Sequence, residues 1–282
     1  MDRKEIARIA AMAVRLRRDV VEMVGVGKAG HLGGSCSLAE IVASLYFSRL
    51  RFNPRHIDDP DRDRFVLSKG HSVLVQYAAL IELGVIPREE IGRVKTLEGM
   101  LQGHPDMEQT PGLEAVTGSL GQGLSIGMGM ALALRLDRRP SRVWVIMGDG
   151  ELAEGQVWEA AMAAAAYGLD RLTGIVDRNR IQATGPVADV LPNPDIERKF
   201  EAFGWKTLTV DGHDVAAVLN AMDQAAAAAG GPTVIVADTV KGKGVAFAEN
   251  SAAFHNAAMT REQYEEALSG LDRQLAALGR TG

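Results

Sequence analysis

Hydrophobic residues recur along the chain at two spacings, one typical of helices and the other of buried strands. Apolar side chains keep a helical period from Ile6 to Val24, and Gly25 ends this first helix. Strands are predicted at residues 65–68, 142–147, 173–177, 206–210 and 233–238, with helices at residues 72–83, 156–167 and 215–229. Strands that alternate with helices predict an α/β fold, a mostly parallel sheet with helices on both faces.

Two further helices are predicted from their first turns. Ser37 and Glu40 have the spacing of a capping box, which would open a helix through about residue 47, and Thr260 is expected to cap the last helix. A helical run that ends near residue 136 contains four glycines: Gly121, Gly123, Gly127 and Gly129. Each glycine costs a helix roughly 1 kcal/mol relative to alanine, so this helix is expected to pack very closely against a neighbour.

Residues 99–118 form the longest stretch without any periodicity. The stretch contains Pro105, Pro111 and several glycines, and it is predicted to be an ordered loop. Loops of about 20 residues inside a domain are uncommon and are usually functional or disordered. The sequence contains no internal repeat and no linker-like change of composition, so a single domain over residues 1–282 is expected.

The overall composition is that of a soluble globular protein. Hydrophobic residues make up 46% of the 282 residues, and no apolar stretch reaches the roughly 18 residues that a membrane-spanning helix requires. The net charge of −5 argues against a nucleic-acid partner, which would require a basic face. The N-terminus lacks a secretory signal and the single cysteine, Cys36, cannot form an internal disulfide; both features favour a cytoplasmic location.

The strongest chemical signal lies where two predicted strands end. Gly-Asp-Gly at residues 148–150 follows strand 142–147, and Asn179 follows strand 173–177. Open α/β sheets bind ligands at the carboxyl ends of their strands. A carboxylate repels a diphosphate unless a divalent cation lies between them. Asp149, Asn179 and a backbone carbonyl after it could supply oxygens to Mg²⁺, which accepts few protein ligands alongside phosphate oxygens.

These two strand ends resemble the metal-binding motif of thiamine diphosphate enzymes, and other segments sharpen the resemblance to one family. Segments similar to transketolase occur in the family's order at residues 30–35, 63–71, 103–105, 117–123, 148–155 and 241–244, followed by His255. The similarity extends from about residue 10 to residue 258. The chain is therefore identified as a member of the transketolase family, in its N-terminal, thiamine diphosphate-binding part.

The resemblance implies a cofactor and the residues that bind it. Thiamine diphosphate would bind with Mg²⁺, which Ca²⁺ or Mn²⁺ could replace. Asp149, Asn179 and the carbonyl oxygen of Ile181 would hold the metal ion. The remaining contacts would be Gly118 and Leu120 at the cofactor rings, the amides of Gly150 and Glu151 at the diphosphate, and Glu154 near the pyrimidine, facing a partner chain.

Four of the six histidines lie in the similar segments: His31, His71, His104 and His255. Imidazole titrates near neutral pH and so suits proton transfer. The resemblance implies that His104 binds the C1 hydroxyl of a ketose donor, and that His31 and His255 handle the proton of its C3 hydroxyl. His71 and Lys241 would lie beside the diphosphate. Elsewhere, His213 is expected only to cap a turn.

The implied activity is the transfer of a two-carbon ketol unit from a ketose, or a ketose phosphate, to an aldose. The family's pyrimidine-binding domain has no counterpart in the chain, so a separate C-terminal transketolase subunit is expected to supply it, with two copies of each chain. The chain alone should show no ketol transfer. The sugars themselves stay open, because residues 255–258 read His-Asn-Ala-Ala instead of the family's His-Gly-x-Pro.

Two other functions stay open at this point. A subunit similar to 1-deoxyxylulose-phosphate synthase, or another thiamine diphosphate carboligase, would take its two-carbon unit from a different donor. A non-catalytic scaffold would bind the partner chain without turnover. The presence of Asp149, Asn179 and the four loop histidines argues against the scaffold, because a scaffold has no need for a metal carboxylate.

Overall fold

A parallel sheet flanked by helices organises the part of the chain that the computed structural model describes, residues 2–279. The predicted domain limits, residues 1 and 282, lie outside it. The helices are α1 (Arg3–Val24), α2 (Leu32–Cys36), α3 (Ala39–Ser44), α4 (Leu74–Glu82), α5 (Gln122–Leu136), α6 (Gly155–Ala166), α7 (Val187–Val190), α8 (Ile196–Ala202), α9 (Val215–Ala227) and α10 (Arg261–Leu278). The strands are β1 (Arg64–Leu67), β2 (Val143–Gly148), β3 (Leu172–Arg178), β4 (Ile181–Gln182), β5 (Gly185–Pro186), β6 (Lys206–Asp211) and β7 (Thr233–Asp238).

The five long strands lie in the order β1-β2-β3-β7-β6, and every neighbouring pair is parallel. Side chains of β2 point alternately to the two faces: Trp144 belongs to a buried cluster with residues of α1, α3, α4 and α9, whereas Val145 belongs to one with residues of α5, α6 and α8. Both faces are therefore covered, and the prediction of a mostly parallel sheet with helices on both faces is confirmed. No helix within residues 2–279 is long and apolar enough to cross a membrane.

The glycines of α5 let this helix lie directly on the sheet. A Cβ atom on Gly123 would come within 2.4 Å of the Ser68 side chain, and one on Gly127 within 2.4 Å of Val145 Cγ2. The close packing predicted from the glycines is thus confirmed at these two positions. At Gly129, in contrast, a Cβ would meet no atom of the described chain within 4 Å apart from the backbone of α5 itself, so the prediction is wrong there.

The capping boxes have opposite outcomes. In α10 the Thr260 side chain accepts from the amide of Gln263, and the Gln263 side chain accepts from the amide of Thr260, as predicted. At the other position the prediction is wrong, because α3 begins without a side-chain cap. The Ser37 hydroxyl donates instead to Asp177 Oδ2 at 2.7 Å, since a hydrogen bond to a buried carboxylate is stronger than one between neutral groups at a helix end.

Candidate active site

A cavity of about 520 Å³ opens at the carboxyl edge of the sheet. The segments that follow β1, β2, β3 and β7 all contribute to it, because the carboxyl ends of parallel strands meet at one edge. Most of the residues predicted from the sequence line its wall: His31, His71, Gly118, Leu120, Asp149, Gly150, Glu151, Glu154, Asn179, Ile181, Lys241 and His255. The structure therefore brings residues from distant segments of the chain together around one space.

His104 is the one predicted site residue that does not line this cavity. Its ring lies beside the wall, 5.8 Å from the ring of His31. Gly118, which lines the cavity, packs against this ring, since a Cβ there would stand 2.8 Å from His104 Cδ2. Gly118 also has φ +152, a conformation that favours glycine. The glycine thus brings the backbone of residues 117–121 close to the imidazole.

Asp149, directly after β2, presents a buried carboxylate to the cavity. Its Oδ1 accepts from the amide of Gly150 at 2.9 Å, and its Oδ2 accepts from the amide of Arg180 at 2.7 Å. Burial raises the pKa of Asp149 to about 6, and the negative charge of Asp177 adds to this effect. A bound cation would favour the ionised form of this carboxylate.

Both the nitrogen and the oxygen of the Asn179 side-chain amide are fixed by hydrogen bonds. Its Nδ2 donates to Asp177 at 2.9 Å, and its Oδ1 accepts from the amide of Ile181 at 3.1 Å. The carbonyl oxygen of Ile181 accepts in turn from Lys241 Nζ at 2.8 Å. A carboxylate, an amide oxygen and a carbonyl oxygen therefore border the same cavity, which is an all-oxygen donor set of the kind that Mg²⁺ prefers.

Few acidic or thiol ligands surround these oxygens. Within residues 2–279 there is no group of three or more His, Cys, Asp or Glu side chains that could hold a metal ion by themselves. A magnesium site here would depend on oxygens from a diphosphate to complete its shell, and such a shared shell is common for Mg²⁺. The donor set thus fits a metal ion that arrives with a phosphorylated cofactor.

Four imidazoles form a cluster at this edge, and three of them, those of His31, His71 and His255, line the cavity. The ring of His31 lies 5.1 Å from that of His71 and 5.4 Å from that of His255, and the rings of His71 and His255 are 4.9 Å apart. Burial lowers the pKa of His71 to about 2 and those of His31 and His255 to about 4, with nearby positive charges adding to the effect. These three rings are therefore neutral at pH 7. Burial also lowers the pKa of the fourth, His104.

Lys241 is almost completely buried beside these imidazoles, and its Nζ lies 2.9 Å from His255 Nδ1. Burial lowers the pKa of Lys241 to about 8, and the neighbouring charge of Lys69 contributes. The ammonium group is still mostly protonated at pH 7. It gives the wall of the cavity a positive charge that a diphosphate would complement.

Glu151 has a role that the sequence did not indicate, because its side chain, and not only its amide, is part of the site. The buried carboxylate accepts from the Ser68 hydroxyl, from the amide of Gly121 at 2.8 Å and from the amide of Gly148 at 3.0 Å. It thereby joins the ends of β1 and β2 to the loop that contains Gly118. The one sequence signal for a role of this side chain was its position immediately after the Gly-Asp-Gly triplet.

Three charged residues at this edge were also missed. Lys69 and Asp177 form a buried ion pair. Both lie in or beside segments that contain predicted site residues, but neither was predicted to belong to the site. Lys95 lies at the outer side, where its Nζ donates to the carbonyl of Ala29 at 2.8 Å and its charge lowers the pKa of His31 and His104. No sequence signal marks Lys95, because its contact with Ala29 joins residues 66 positions apart.

Fold and site together define a class: an α/β domain that binds a diphosphate-bearing cofactor at the carboxyl edge of a parallel sheet, beside a Gly-Asp-Gly turn. Comparison with known families narrows the class. Residues 7–273 match the family profile described as "Transketolase, thiamine diphosphate binding domain". The chain belongs to the transketolase family, its cofactor is thiamine diphosphate, and the predicted family is confirmed.

Individual relatives agree with this assignment. The chain is 41% identical over 259 residues to the 6-deoxy-6-sulfo-D-fructose transketolase subunit SqwG of Clostridium sp. (strain MSTE9), covering 92% of this chain and 94% of the relative. It is 39% identical to an apulose-4-phosphate transketolase subunit of Phocaeicola vulgatus, with 93% of each chain covered. Both relatives are subunits, which confirms the prediction of a transferase that performs ketol-transfer chemistry together with a partner chain.

Solved structures give the same picture at lower identity. The transketolase from Leishmania mexicana superposes with a TM-score of 0.84 at 27% identity, over 98% of this chain and 45% of that one. The transketolase from Campylobacter jejuni superposes with a TM-score of 0.84 over 99% of this chain and 48% of that one. The chain thus spans about half the length of these transketolases.

Proposed function

We propose that the chain binds thiamine diphosphate through Mg²⁺ at Asp149, Asn179 and the Ile181 carbonyl, and that a partner subunit completes its cavity for ketol transfer. One observation carries this proposal: the three oxygen donors and a cluster of neutral imidazoles border one cavity at the carboxyl edge of the sheet. The oxygens suit a metal ion, and the neutral imidazoles suit proton transfer from a sugar hydroxyl.

The cofactor, when bound, supplies the electron sink for cleavage of a carbon–carbon bond. The chain's own residues bind and orient it. Lys241 and the neutral ring of His71 would donate hydrogen bonds to the diphosphate, together with the amides of Gly150 and Glu151. Gly118 and Leu120 would contact the rings, and the exposed Glu154 would lie near the pyrimidine on the side open to the partner.

The two histidines assigned to the C3 hydroxyl have different roles. Lys241 Nζ donates to His255 Nδ1, so neutral His255 carries its proton on Nε2 and presents a donor to the cavity. Among residues 2–279, His31 has no hydrogen bond to a cationic side chain, and it would accept the hydroxyl proton. His104 would bind the C1 hydroxyl from its position behind Gly118.

The substrate is proposed to be a ketose that carries an anionic group at its far end. The names of two relatives specify a sulfo-sugar and a sugar phosphate, respectively. A donor of this kind agrees with the position of Lys95, which places an exposed positive charge beside His31 and His104. Xylulose 5-phosphate and sulfonated ketoses are therefore the first donors to try, with pyruvate as the donor that would indicate a different carboligase.

Removal of the metal carboxylate tests the proposal. Asp149→Ala should weaken binding of thiamine diphosphate with Mg²⁺ by at least roughly 100-fold, because residues merely behind metal ligands already change affinity by 10- to 100-fold. Calorimetric titration measures this effect. Asp189→Ala is the matched control, since Asp189 is an exposed acid in α7 near the same edge. Equal affinities of the two variants would contradict the proposed metal site.

A further inference from the structure

Asp177 has a completely buried carboxylate at the end of β3, two residues before Asn179. Its Oδ2 accepts from the Ser37 hydroxyl at 2.7 Å, from Asn179 Nδ2 at 2.9 Å and from Lys69 Nζ. Its Oδ1 accepts from the Thr239 hydroxyl. A carboxylate has roughly four lone-pair positions. The Oδ2 atom of Asp177 therefore has no acceptor position left for a metal ion, although the residue lies beside the proposed metal site.

We infer that Asp177, neutralised by Lys69, is the positioning residue that fixes which end of the Asn179 amide faces the metal ion. This inference rests on the proposed function. Only the amide oxygen can bind a cation. Asp177 accepts from Nδ2, and the amide of Ile181 donates to Oδ1 at 3.1 Å. A half-turn of the amide would set two acceptors against each other at Asp177 and two donors against each other at Ile181.

Lys69 makes this arrangement compatible with burial. The side chains of Lys69 and Asp177 are 3% and 0% exposed, and a buried carboxylate without a partner is strongly destabilising. Lys69 Nζ also donates to the carbonyl of Gly34 at 3.2 Å, which fixes the ammonium group at the end of β1. The strand register sets Asp177 opposite Gly148, next to Asp149. Lys69 thus offsets a negative charge that would otherwise lie unpaired beside the metal carboxylate.

Three variants of the full chain separate positioning from simple structural support: Asp177→Asn, Lys69→Met and the double variant. Each single change leaves one buried charge unpaired and should lower the melting temperature. The double variant removes both charges, so its melting temperature should recover. Its affinity for thiamine diphosphate with Mg²⁺ should stay 10- to 100-fold weaker than that of the unmodified chain, because an amide at position 177 no longer dictates the orientation of Asn179.

Thr239→Val is the control, because it removes one donor to Asp177 and leaves the contact with Asn179 in place. Its affinity should remain within about twofold of the unmodified chain, since no metal ligand is reoriented. Recovery of both melting temperature and affinity in the double variant would overturn the inference, as would a loss in Thr239→Val as large as in Asp177→Asn. If the unmodified chain binds no cofactor even together with its partner subunit, the proposed metal site is wrong and the inference falls with it.

Discussion

At the scale of single residues, the chain stabilises buried charge by giving it several partners. Arg17 on α1 is almost completely buried and donates to both carboxylate oxygens of Glu40 on α3, the first at 2.7 Å. His213 Nδ1 lies 3.0 Å from Glu40, and its Nε2 accepts from the amide of Val240. The prediction that His213 caps a turn is therefore wrong: Asp214 caps α9, and His213 bridges two distant segments.

The Glu40 cluster leads to a pH-dependent prediction. Burial alone would raise the pKa of Glu40, but Arg17 and His213 outweigh it and lower the pKa to about 2. A lowered carboxyl pKa contributes stability above the unfolded value of 4.5, and this contribution is lost as pH falls toward 2. Glu40→Gln should therefore reduce the free energy of unfolding at pH 7 by about 3 kcal/mol.

Urea denaturation of both proteins between pH 7 and pH 3.5 measures this difference. The gap between the unmodified chain and Glu40→Gln should shrink by more than about 1 kcal/mol over that range, because the unfolded chain is protonated first. A gap that stays constant with pH would mean that Glu40 contributes through packing and hydrogen bonds alone. Exposed Glu159→Gln, on α6, serves as the control and should show no gap at either pH.

At the scale of elements, the glycines of helix α5 have no side chains, and this allows the close packing that positions the site. The Ser68 hydroxyl at the end of β1 accepts from the amide of Gly123 at 3.1 Å and donates to Glu151. This pair of contacts is possible only because Gly123 brings the helix backbone against the strand. The start of α5, the end of β1 and the Gly-Asp-Gly turn are consequently fixed relative to one another, and with them the wall of the cavity.

Two glycines of the same helix give a matched prediction. Gly127→Ala should lower the free energy of unfolding by roughly 1–3 kcal/mol, because the new methyl group would collide with the buried Val145 side chain. Gly129→Ala should leave it unchanged or raise it by up to about 1 kcal/mol, because Gly129 has open space around it and alanine favours helix. Thermal or urea denaturation checks both, and equal effects would contradict the close packing at Gly127.

The elements that follow from local pattern were predictable, and those that depend on distant contacts were not. Helix α1, the cap of α10 and the five long strands follow from periodicity and turn residues close together in the chain. The pairs Lys69–Asp177 and Glu40–His213 join residues 108 and 173 positions apart. Nothing local marks such a pair, so the sequence named residues that border the cavity but not those that hold them in place.

At the scale of the whole molecule, the cavity is bordered by apolar side chains that the described chain leaves exposed. Val190 and Leu191, 47% and 54% exposed, line its mouth at the end of α7. Exposed apolar residues beside a functional cavity mark surfaces where another protein binds. Their position supports a partner subunit that closes the cavity and excludes water from it.

The activity should therefore appear only on mixing. The chain alone should give no ketol transfer above background, and addition of a partner chain with the pyrimidine-binding domain should restore turnover, measured with a coupled assay on a ketose phosphate. Mass measurement of the mixture should give two copies of each chain. Turnover by the chain alone would contradict the need for a partner, and a mass equal to one copy of each would contradict the proposed stoichiometry.

The buried thiol at the end of α2 has a practical consequence. Cys36 is the single cysteine of the sequence, it is 0% exposed, and burial raises its pKa to about 12. A thiol in that state neither reacts with alkylating reagents nor links two molecules through oxidation while the core is closed. Each equivalent of thiol that reacts therefore corresponds to one molecule whose core has opened, so the reactivity of Cys36 measures unfolding without an added probe.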